Sequence, residues 1–98
     1  METFKEVISG NQLVLVDFFA TWCQPCKMMH PVLEQLKAAV GDKLRIIKVD
    51  VDQHNDVAAE YRIQSVPTLM LFRGGEVLYR NSGVMDKAEL MALLDPFM

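Results

Sequence analysis

The sequence has few of the residues from which metal centres are built, and it lacks a long apolar segment. It contains two cysteines and two histidines, and His30 and His54 fall in different predicted elements. Because a zinc site needs about four ligands, this pattern argues against a metal site within one chain. No apolar run approaches the roughly 20 residues of a membrane-spanning helix. The sequence therefore predicts neither a metal-binding protein nor an integral membrane protein.

A strong charge of either sign is also absent. Ten lysines and arginines against thirteen acidic residues give a net charge of −3. That balance offers no electrostatic reason to bind nucleic acid or an anionic membrane. Residues 1–6 lack the basic start and the apolar stretch of a secretory signal. We therefore expect a cytoplasmic protein, although a mature chain whose signal had been removed would have the same sequence.

The composition and the hydrophobic patterns that are present indicate one α/β domain. With 51% hydrophobic and 23% charged residues, the chain is suited to a single globular domain over residues 1–98. The periodicities predict eight elements in the order α-β-α-β-α-β-β-α. These are a helix after Thr3, strands at 13–19, 44–49, 68–72 and 76–80, a helix from Pro25 to Gly41, a short helix capped by Asn55, and a last helix between Asp86 and Pro96.

The order and composition of the strands predict the sheet. Residues 13–19 form a nearly continuous apolar run, as in a strand that is buried on both faces. A right-handed crossover through the long helix makes this strand parallel to residues 44–49. Gly74-Gly75 is a hairpin signal that makes the last two strands antiparallel. We expect a mixed four-stranded sheet flanked by four helices, with the first strand between the second and the third.

The only two cysteines stand close together in the segment Trp22-Cys23-Gln24-Pro25-Cys26-Lys27. A disulfide between Cys23 and Cys26 closes so short a ring that it adds little stability, which favours a bond that opens and closes. Because Cys23 directly precedes the predicted helix, the helix N-terminus stabilises its thiolate. We interpret Cys23 as the nucleophile that attacks a substrate disulfide, and Cys26 as the residue that resolves the mixed disulfide. The alternative is a pair of inert core cysteines.

A Cys-x-x-Cys pair beside a βαβ unit is typical of thioredoxin-like redox proteins. From Leu13 to the last helix, the sequence resembles the small bacterial thioredoxins. The matching positions are Val16-Asp17-Phe18, Ala20-Thr21-Trp22-Cys23, Pro25-Cys26-Lys27-Met28, Pro31, Lys48-Val49-Asp50, Val66-Pro67-Thr68, Phe72, Gly75 and Gly83. The resemblance implies the thioredoxin fold and the chemistry of thiol–disulfide exchange.

Three features depart from the usual pattern of that family. Gln24-Pro25 stands between the cysteines where the family usually has Gly-Pro, and Phe19 occupies a position at which many members have tryptophan. The capping-box residues Thr3 and Glu6 start a helix where most members begin with a strand. With the family's first strand missing, residues 44–49 are expected to form an exposed edge of the sheet.

The resemblance implies roles for two charged residues. Asp17 lies in a strand too apolar to be exposed, and burial disfavours the ionised carboxylate, so we expect its pKa to be raised. In the family, an aspartate here lies beneath the cysteines and helps to move the proton of the second one; the alternative is a carboxylate that faces solvent at a strand end. Lys48 resembles the family's lysine partner of that aspartate, with a solvated lysine on an edge strand as the alternative.

The resemblance also implies a substrate-binding surface around Cys23. The family holds the bond before Pro67 in the cis form opposite the cysteines. This turns the Val66 backbone toward the disulfide, where an extended substrate segment can hydrogen-bond. The residues expected to surround Cys23 are Trp22, Gln24, Pro25, Val66, Pro67, Gly83 and Val84. For Val66 and Val84 the alternative is ordinary core packing.

The sequence gives little reason to place either histidine in the redox site. His30 lies one helical turn after Cys26 and is expected on the surface of an amphipathic helix, with tuning of the resolving thiol as the alternative. His54 is expected to be solvated near a helix cap. Neither histidine therefore enters the predicted site.

These interpretations predict a monomeric protein-disulfide reductase. The resemblance implies that the cysteine pair carries the electrons, that no cofactor is bound, and that a thioredoxin reductase recharges the protein from NADPH through FAD. The expected partners are that reductase and proteins that contain disulfides. One alternative is a more oxidising disulfide oxidase or isomerase, because the residues between the cysteines tune the redox balance. The other is a non-catalytic binding subunit built on the same fold.

Overall fold

Four helices and four strands make up residues 2–98, the part of the chain that the computed structural model describes. In chain order they are α1 (Phe4–Ser9), β1 (Val14–Phe19), α2 (Gln24–Val40), β2 (Arg45–Asp50), α3 (Asn55–Glu60), β3 (Thr68–Arg73), β4 (Glu76–Ser82) and α4 (Lys87–Leu94). Single turns of 3-10 helix, Gly41–Lys43 and Asp95–Phe97, follow α2 and α4. The predicted order of elements is the observed one.

The four strands form one mixed sheet in the order β2-β1-β3-β4. Strand β1 pairs in parallel with β2 and antiparallel with β3, and β3 forms a hairpin with β4. Gly74 and Gly75 make the turn of that hairpin with φ angles of 60° and 79°. Positive φ at both central residues of a two-residue turn favours glycine. The predicted mixed sheet, with β1 in its centre, is confirmed.

Helices cover both faces of the sheet. On one face α2 and α4 pack against the sheet through residues such as Leu33 and Leu90. On the other face α1 and α3 contribute Ile8 and the partly buried Val57. Because successive side chains of a strand point to opposite faces, alternate residues of β1 belong to the two cores. This burial on both sides explains the continuous apolar run in the sequence.

The first helix, α1, is held by a complete capping box and by aromatic packing. The Thr3 hydroxyl accepts the Glu6 N–H at 3.1 Å, and the Glu6 carboxylate accepts the Thr3 N–H at 3.2 Å. The Phe4 ring lies against a cluster of three other aromatic rings, with centroid distances of 5.5 to 6.3 Å. Its neighbours are Phe18, Tyr61 and Phe72. This short helix therefore depends on tertiary contacts with the sheet.

Strand β2 is an outer strand of the sheet, as expected. Arg45 at its start forms an ion pair with Glu2, with Nη2 and Oε1 2.8 Å apart. Both side chains are exposed, so the pair adds little stability. It nevertheless places the chain before α1 beside this edge.

Two predicted boundaries need correction. The N-cap of α3 is His54, not Asn55, and it makes no capping hydrogen bond through its side chain. The carbonyl of Asp50 accepts the His54 N–H at 2.9 Å, and this turn leads directly into the helix. Strand β4 extends to Ser82, which pairs with Thr68 in the ladder and shares a hydroxyl hydrogen bond with it at 3.0 Å.

We expect Phe4→Ala to destabilise the protein by about 2 kcal/mol. A fully buried phenylalanine costs about 3–5 kcal/mol when truncated, and Phe4 is only half-buried. Urea denaturation followed by circular dichroism measures the loss. Lys5→Ala, at an exposed position of the same helix, is the control and should change stability by less than about 0.5 kcal/mol. Equal losses in the two variants would contradict the role of the aromatic cluster.

Candidate redox site

Cys23 and Cys26 form a disulfide at the start of α2. Cys23 is the N-cap residue, with φ −90° and ψ 112°, and its Sγ accepts the N–H of Cys26 at 3.1 Å. Their Cα atoms are 5.3 Å apart, and both side chains are buried. After reduction, Cys23 Sγ therefore lies where a helix N–H and the helix dipole stabilise a thiolate.

The local sequence places the cysteines at this junction. Strand β1 ends at Phe19, and the Cys23 N–H donates to the Ala20 carbonyl at 3.3 Å, which closes the turn before the helix. Pro25 lies in the first turn of α2, where its missing N–H costs nothing. Gln24 and Pro25 are both exposed. The two residues between the cysteines therefore lie on the surface next to the disulfide.

The loop before β3 faces Cys23 Sγ. The Val66 carbonyl oxygen lies 3.6 Å from Cys23 Sγ, and the peptide bond between Val66 and Pro67 is cis. Gly83, with φ 102°, donates its N–H to the Pro67 carbonyl at 2.9 Å. Its neighbour Val84 is 42% exposed. The chain after β4 is thus joined to the same loop that faces the disulfide.

Trp22 borders a small cleft on the same side of the molecule. Its side chain is 69% exposed, yet its indole Nε1–H donates to Asp52 Oδ2 at 2.9 Å. The cleft has a volume of about 140 Å³ and is lined by Trp22, Val51, Ile63, Gln64, Ser65 and Val66. Sequence reasoning did not include Val51, Asp52 or Ile63 in the site. The sequence could have indicated Val51 and Asp52, because they follow β2. The predicted parallel pairing of β1 with β2 brings the carboxyl ends of these two strands together.

Asp17 is completely buried in the central strand. It shares a face of β1 with Leu15, which packs in the core beneath α2, and α2 carries Cys26 in its first turn. Within residues 2–98, neither carboxylate oxygen of Asp17 has a hydrogen-bond partner. Burial raises the pKa of Asp17 to about 6, and the nearby charge of Lys48 opposes part of that rise. An aspartate with this pKa takes up and releases a proton close to neutral pH.

Lys48 lies opposite Asp17 in the parallel ladder between β1 and β2. Its ammonium group hydrogen-bonds elsewhere, since Nζ lies 2.7 Å from Nδ1 of His30. The half-buried His30 ring also packs edge-on against Phe19, with centroids 5.9 Å apart. His30 was predicted as a surface histidine with no assigned role. Its position one helical turn after Cys26 was the feature of the sequence that could have placed it near the site. His54 is exposed.

Residues 2–98 contain neither a candidate metal site nor a candidate membrane-spanning helix. Within that range, no group of three or more histidine, cysteine, aspartate or glutamate side chains is placed to hold a metal ion. No helix there has the length and apolar character to cross a membrane.

The fold and the disulfide at its first strand-to-helix junction define a thiol–disulfide oxidoreductase. The sequence profile of the thioredoxin family matches residues 1–96. The chain belongs to the thioredoxin family, and this confirms the predicted fold and enzyme class.

Known proteins of this family match most of the chain. The thioredoxin of Bacillus subtilis is 46% identical over 87 residues, which cover 89% of this chain and 84% of that protein. A bifunctional thioredoxin reductase/thioredoxin of Mycobacterium leprae is 46% identical over 88 residues, which are 90% of this chain but 19% of that longer protein. Among solved structures, thioredoxin-2 of the malaria parasite, described as a component of its protein secretion machinery, has a TM-score of 0.85 at 29% identity. That match covers 88% of this chain and 84% of thioredoxin-2.

We expect Asp17→Asn to stabilise the oxidised protein above pH 6 by up to about 3 kcal/mol. The pKa of Asp17 rises from 3.8 to about 6 on folding, and one pKa unit is worth about 1.4 kcal/mol. The folded protein therefore binds more protons than the unfolded chain between about pH 4 and 6, so the wild type loses stability as the pH rises through that range. Below about pH 4 the carboxyl is protonated in both states, and the gain should vanish.

Urea denaturation of the oxidised protein at a series of pH values measures this difference. Asp42→Asn, at an exposed position, removes the same charge from the surface and should give no comparable dependence on pH. A stability gain for Asp17→Asn that is constant from pH 4 to 8 would contradict the assignment to a buried, titrating carboxyl group.

Proposed function

We propose that this protein is a cytoplasmic protein-disulfide reductase that a thioredoxin reductase recharges. The observation that carries the proposal is the disulfide at the start of α2, whose Cys23 sulfur faces the Val66 carbonyl beside an exposed tryptophan. In reduced form this arrangement provides an attacking sulfur next to a backbone acceptor for a substrate. The cysteine pair itself holds the two electrons, so the protein needs no bound cofactor.

In the first step, the Cys23 thiolate attacks one sulfur of a substrate disulfide. A new sulfur–sulfur bond forms between Cys23 and the substrate, the substrate's own bond breaks, and its other sulfur leaves as a thiolate that takes a proton from water. The helix N-terminus supports this step, because the N–H of Cys26 points at Cys23 Sγ.

In the second step, Cys26 resolves the mixed disulfide. The Cys26 thiol gives its proton to the Asp17 carboxylate, directly or through water, and the resulting thiolate attacks Cys23 Sγ. The bond between Cys23 and Cys26 forms, and the substrate leaves as a second thiolate. Two electrons have then passed from the cysteine pair to the substrate. The raised pKa of the buried Asp17 supports this role.

Substrate binding is assigned to the surface around Cys23. An extended substrate segment would donate a backbone N–H to the Val66 carbonyl, as in strand addition. Its apolar side chains would contact Trp22 and the adjoining cleft of about 140 Å³. Gln24, Pro25, Gly83 and Val84 complete this surface in the proposal; they are exposed, while Pro67 holds the loop. Few polar groups line it, which suits many different protein substrates.

Recycling would come from a flavin-containing thioredoxin reductase that draws electrons from NADPH. The Mycobacterium leprae relative supports this partner, because its name joins a thioredoxin reductase and a thioredoxin in one protein. We place the protein in the cytoplasm, where NADPH keeps such a pair reduced. We also propose that it works as a monomer, because the cysteines, Asp17 and the Val66 loop all belong to one chain.

We expect the wild-type protein to reduce insulin disulfides when NADPH and a bacterial thioredoxin reductase are supplied. Turbidity of the released insulin B chain and oxidation of NADPH measure the reaction. Cys23→Ser should abolish the activity, whereas Met28→Ala, at an exposed position of α2, should retain it. Failure of the wild type, after chemical reduction as well as with the enzyme, would contradict the reductase function.

Cys26→Ser should trap substrates as stable mixed disulfides, because its first step proceeds and its second cannot. Non-reducing gels before and after addition of dithiothreitol reveal the trapped partners. Cys23→Ser is the matched control, since it lacks the attacking sulfur. If Cys26→Ser traps no more protein than Cys23→Ser, the division of roles between the two cysteines is wrong.

An oxidase or isomerase is the second candidate, and the exposed Gln24 between the cysteines favours it. Residues at this position affect the stability of the thiolate and so the reduction potential. Equilibration of the cysteine pair with glutathione measures that potential. A value near the −270 mV of a typical thioredoxin would support the reductase, and one near the −180 mV of protein disulfide isomerase would support the second candidate, both figures being approximate.

A further inference from the structure

The buried carboxylate of Asp17 lies next to a lysine that does not bond to it. Lys48 is its partner in the ladder between β1 and β2, and neighbouring residues on one face of a sheet have their side chains within reach of each other. Yet within residues 2–98 both oxygens of Asp17 lack a hydrogen-bond partner. A charge-assisted hydrogen bond from the ammonium group would give this carboxylate a partner. In this structure Lys48 makes no such bond to Asp17.

The ammonium group of Lys48 is held by His30. Nζ and Nδ1 are 2.7 Å apart, and an ammonium group can only donate, so Nδ1 is the acceptor and the ring is neutral in this contact. The edge-on packing of the ring against Phe19 fixes its orientation. His30 projects from α2 toward a lysine on the outer strand β2. The ammonium group thus hydrogen-bonds to His30 and not to Asp17.

We propose that His30 is a positioning residue that holds the Lys48 ammonium off the Asp17 carboxylate. Asp17 then keeps no direct cationic partner and can accept the proton of Cys26 and return it. The inference rests on the proposed role of Asp17 as the proton carrier. His30 itself touches neither the sulfur atoms nor the substrate in this proposal.

The size of the effect follows from the charges involved. An opposite charge at ion-pair distance lowers the pKa of a carboxyl group by about 1–3 units. Burial raises the pKa of Asp17 to about 6, and Lys48 in its observed position opposes this only in part. A direct ion pair would lower the pKa further and make Asp17 a poorer proton acceptor near neutral pH. Holding Lys48 aside therefore maintains the proton affinity that the second step uses.

Other charged groups surround His30 and bear on this contact. Lys27 and Glu34 lie one turn before and one turn after it on α2. Lys48 faces it from β2, and Asp17 is the charged group on β1.

The test is the titration of Asp17 in variants of His30. The side-chain carboxyl carbon of Asp17 is followed by ¹³C NMR in the full-length protein, in both the reduced and the oxidised form. His30→Ala and His30→Leu both remove the acceptor, and the leucine retains an apolar contact with Phe19. We expect both to lower the pKa of Asp17 by about 1 unit. The acid limb of insulin reduction should move to lower pH by the same amount.

His30→Asn is the conservative variant, because its Oδ1 can occupy the position of Nδ1 and accept from Lys48. It should restore a titration close to that of the wild type. His54→Ala, which removes the exposed histidine, is the control for the loss of a ring elsewhere and should leave the Asp17 titration unchanged. An unchanged or raised pKa in both His30→Ala and His30→Leu would overturn the proposal.

A double variant tests whether His30 acts through Lys48. Lys48→Met should raise the pKa of Asp17, and the addition of His30→Ala to Lys48→Met should cause no further change. If His30→Ala lowers the pKa equally in both backgrounds, the effect does not pass through Lys48 and the proposal is wrong. The NMR titration needs no enzymatic turnover. A wild type that fails to reduce insulin but shows these shifts would contradict the proposed function and leave the positioning role of His30 supported.

Discussion

Burial of β1 on both faces is the constraint on which the rest of the structure depends. It requires a helical layer on each side of the sheet, so α2 and α4 cover one core and α1 and α3 cover the other. The same strand carries Asp17 into the core, where neither carboxylate oxygen has a hydrogen-bond partner within residues 2–98. It also ends at the turn that places Cys23 at the N-cap of α2.

The disulfide and Asp17 lie in very different environments. The disulfide lies at a helix N-terminus, where the structure stabilises the thiolate form of Cys23. Asp17 lies in the core, where burial opposes ionisation at a cost of about 3 kcal/mol above pH 6. Small domains are stable by only about 5–15 kcal/mol, so this cost is a substantial fraction. A cost of this size at one residue is typical of functional sites that sacrifice stability.

The outer strand β2 and the residues after it contact groups near the centre of the sheet and near the disulfide. Its Lys48 is a neighbour of Asp17 in the ladder and a hydrogen-bond donor to His30 on α2. Its carboxyl end leads to Asp52, which fixes the indole of the exposed Trp22. One edge strand thus supports both the buried carboxylate and the surface beside the disulfide.

Local patterns in the sequence determined most of the fold and the reacting atoms. The apolar run of β1, the capping residues and the Gly74-Gly75 turn act over a few neighbouring positions, so they predicted the order of elements, the central strand and the placement of Cys23 before a helix. The N-cap of α3 escaped prediction because the turn at Asp50, held by its carbonyl and its side chain, leads into that helix without a capping side chain at the N-cap itself. Only the tertiary structure decided the partners of Lys48 and Trp22. These contacts join residues 18 and 30 positions apart, and they depend on how α2 packs over the sheet and how parallel strands align, which no local pattern specifies.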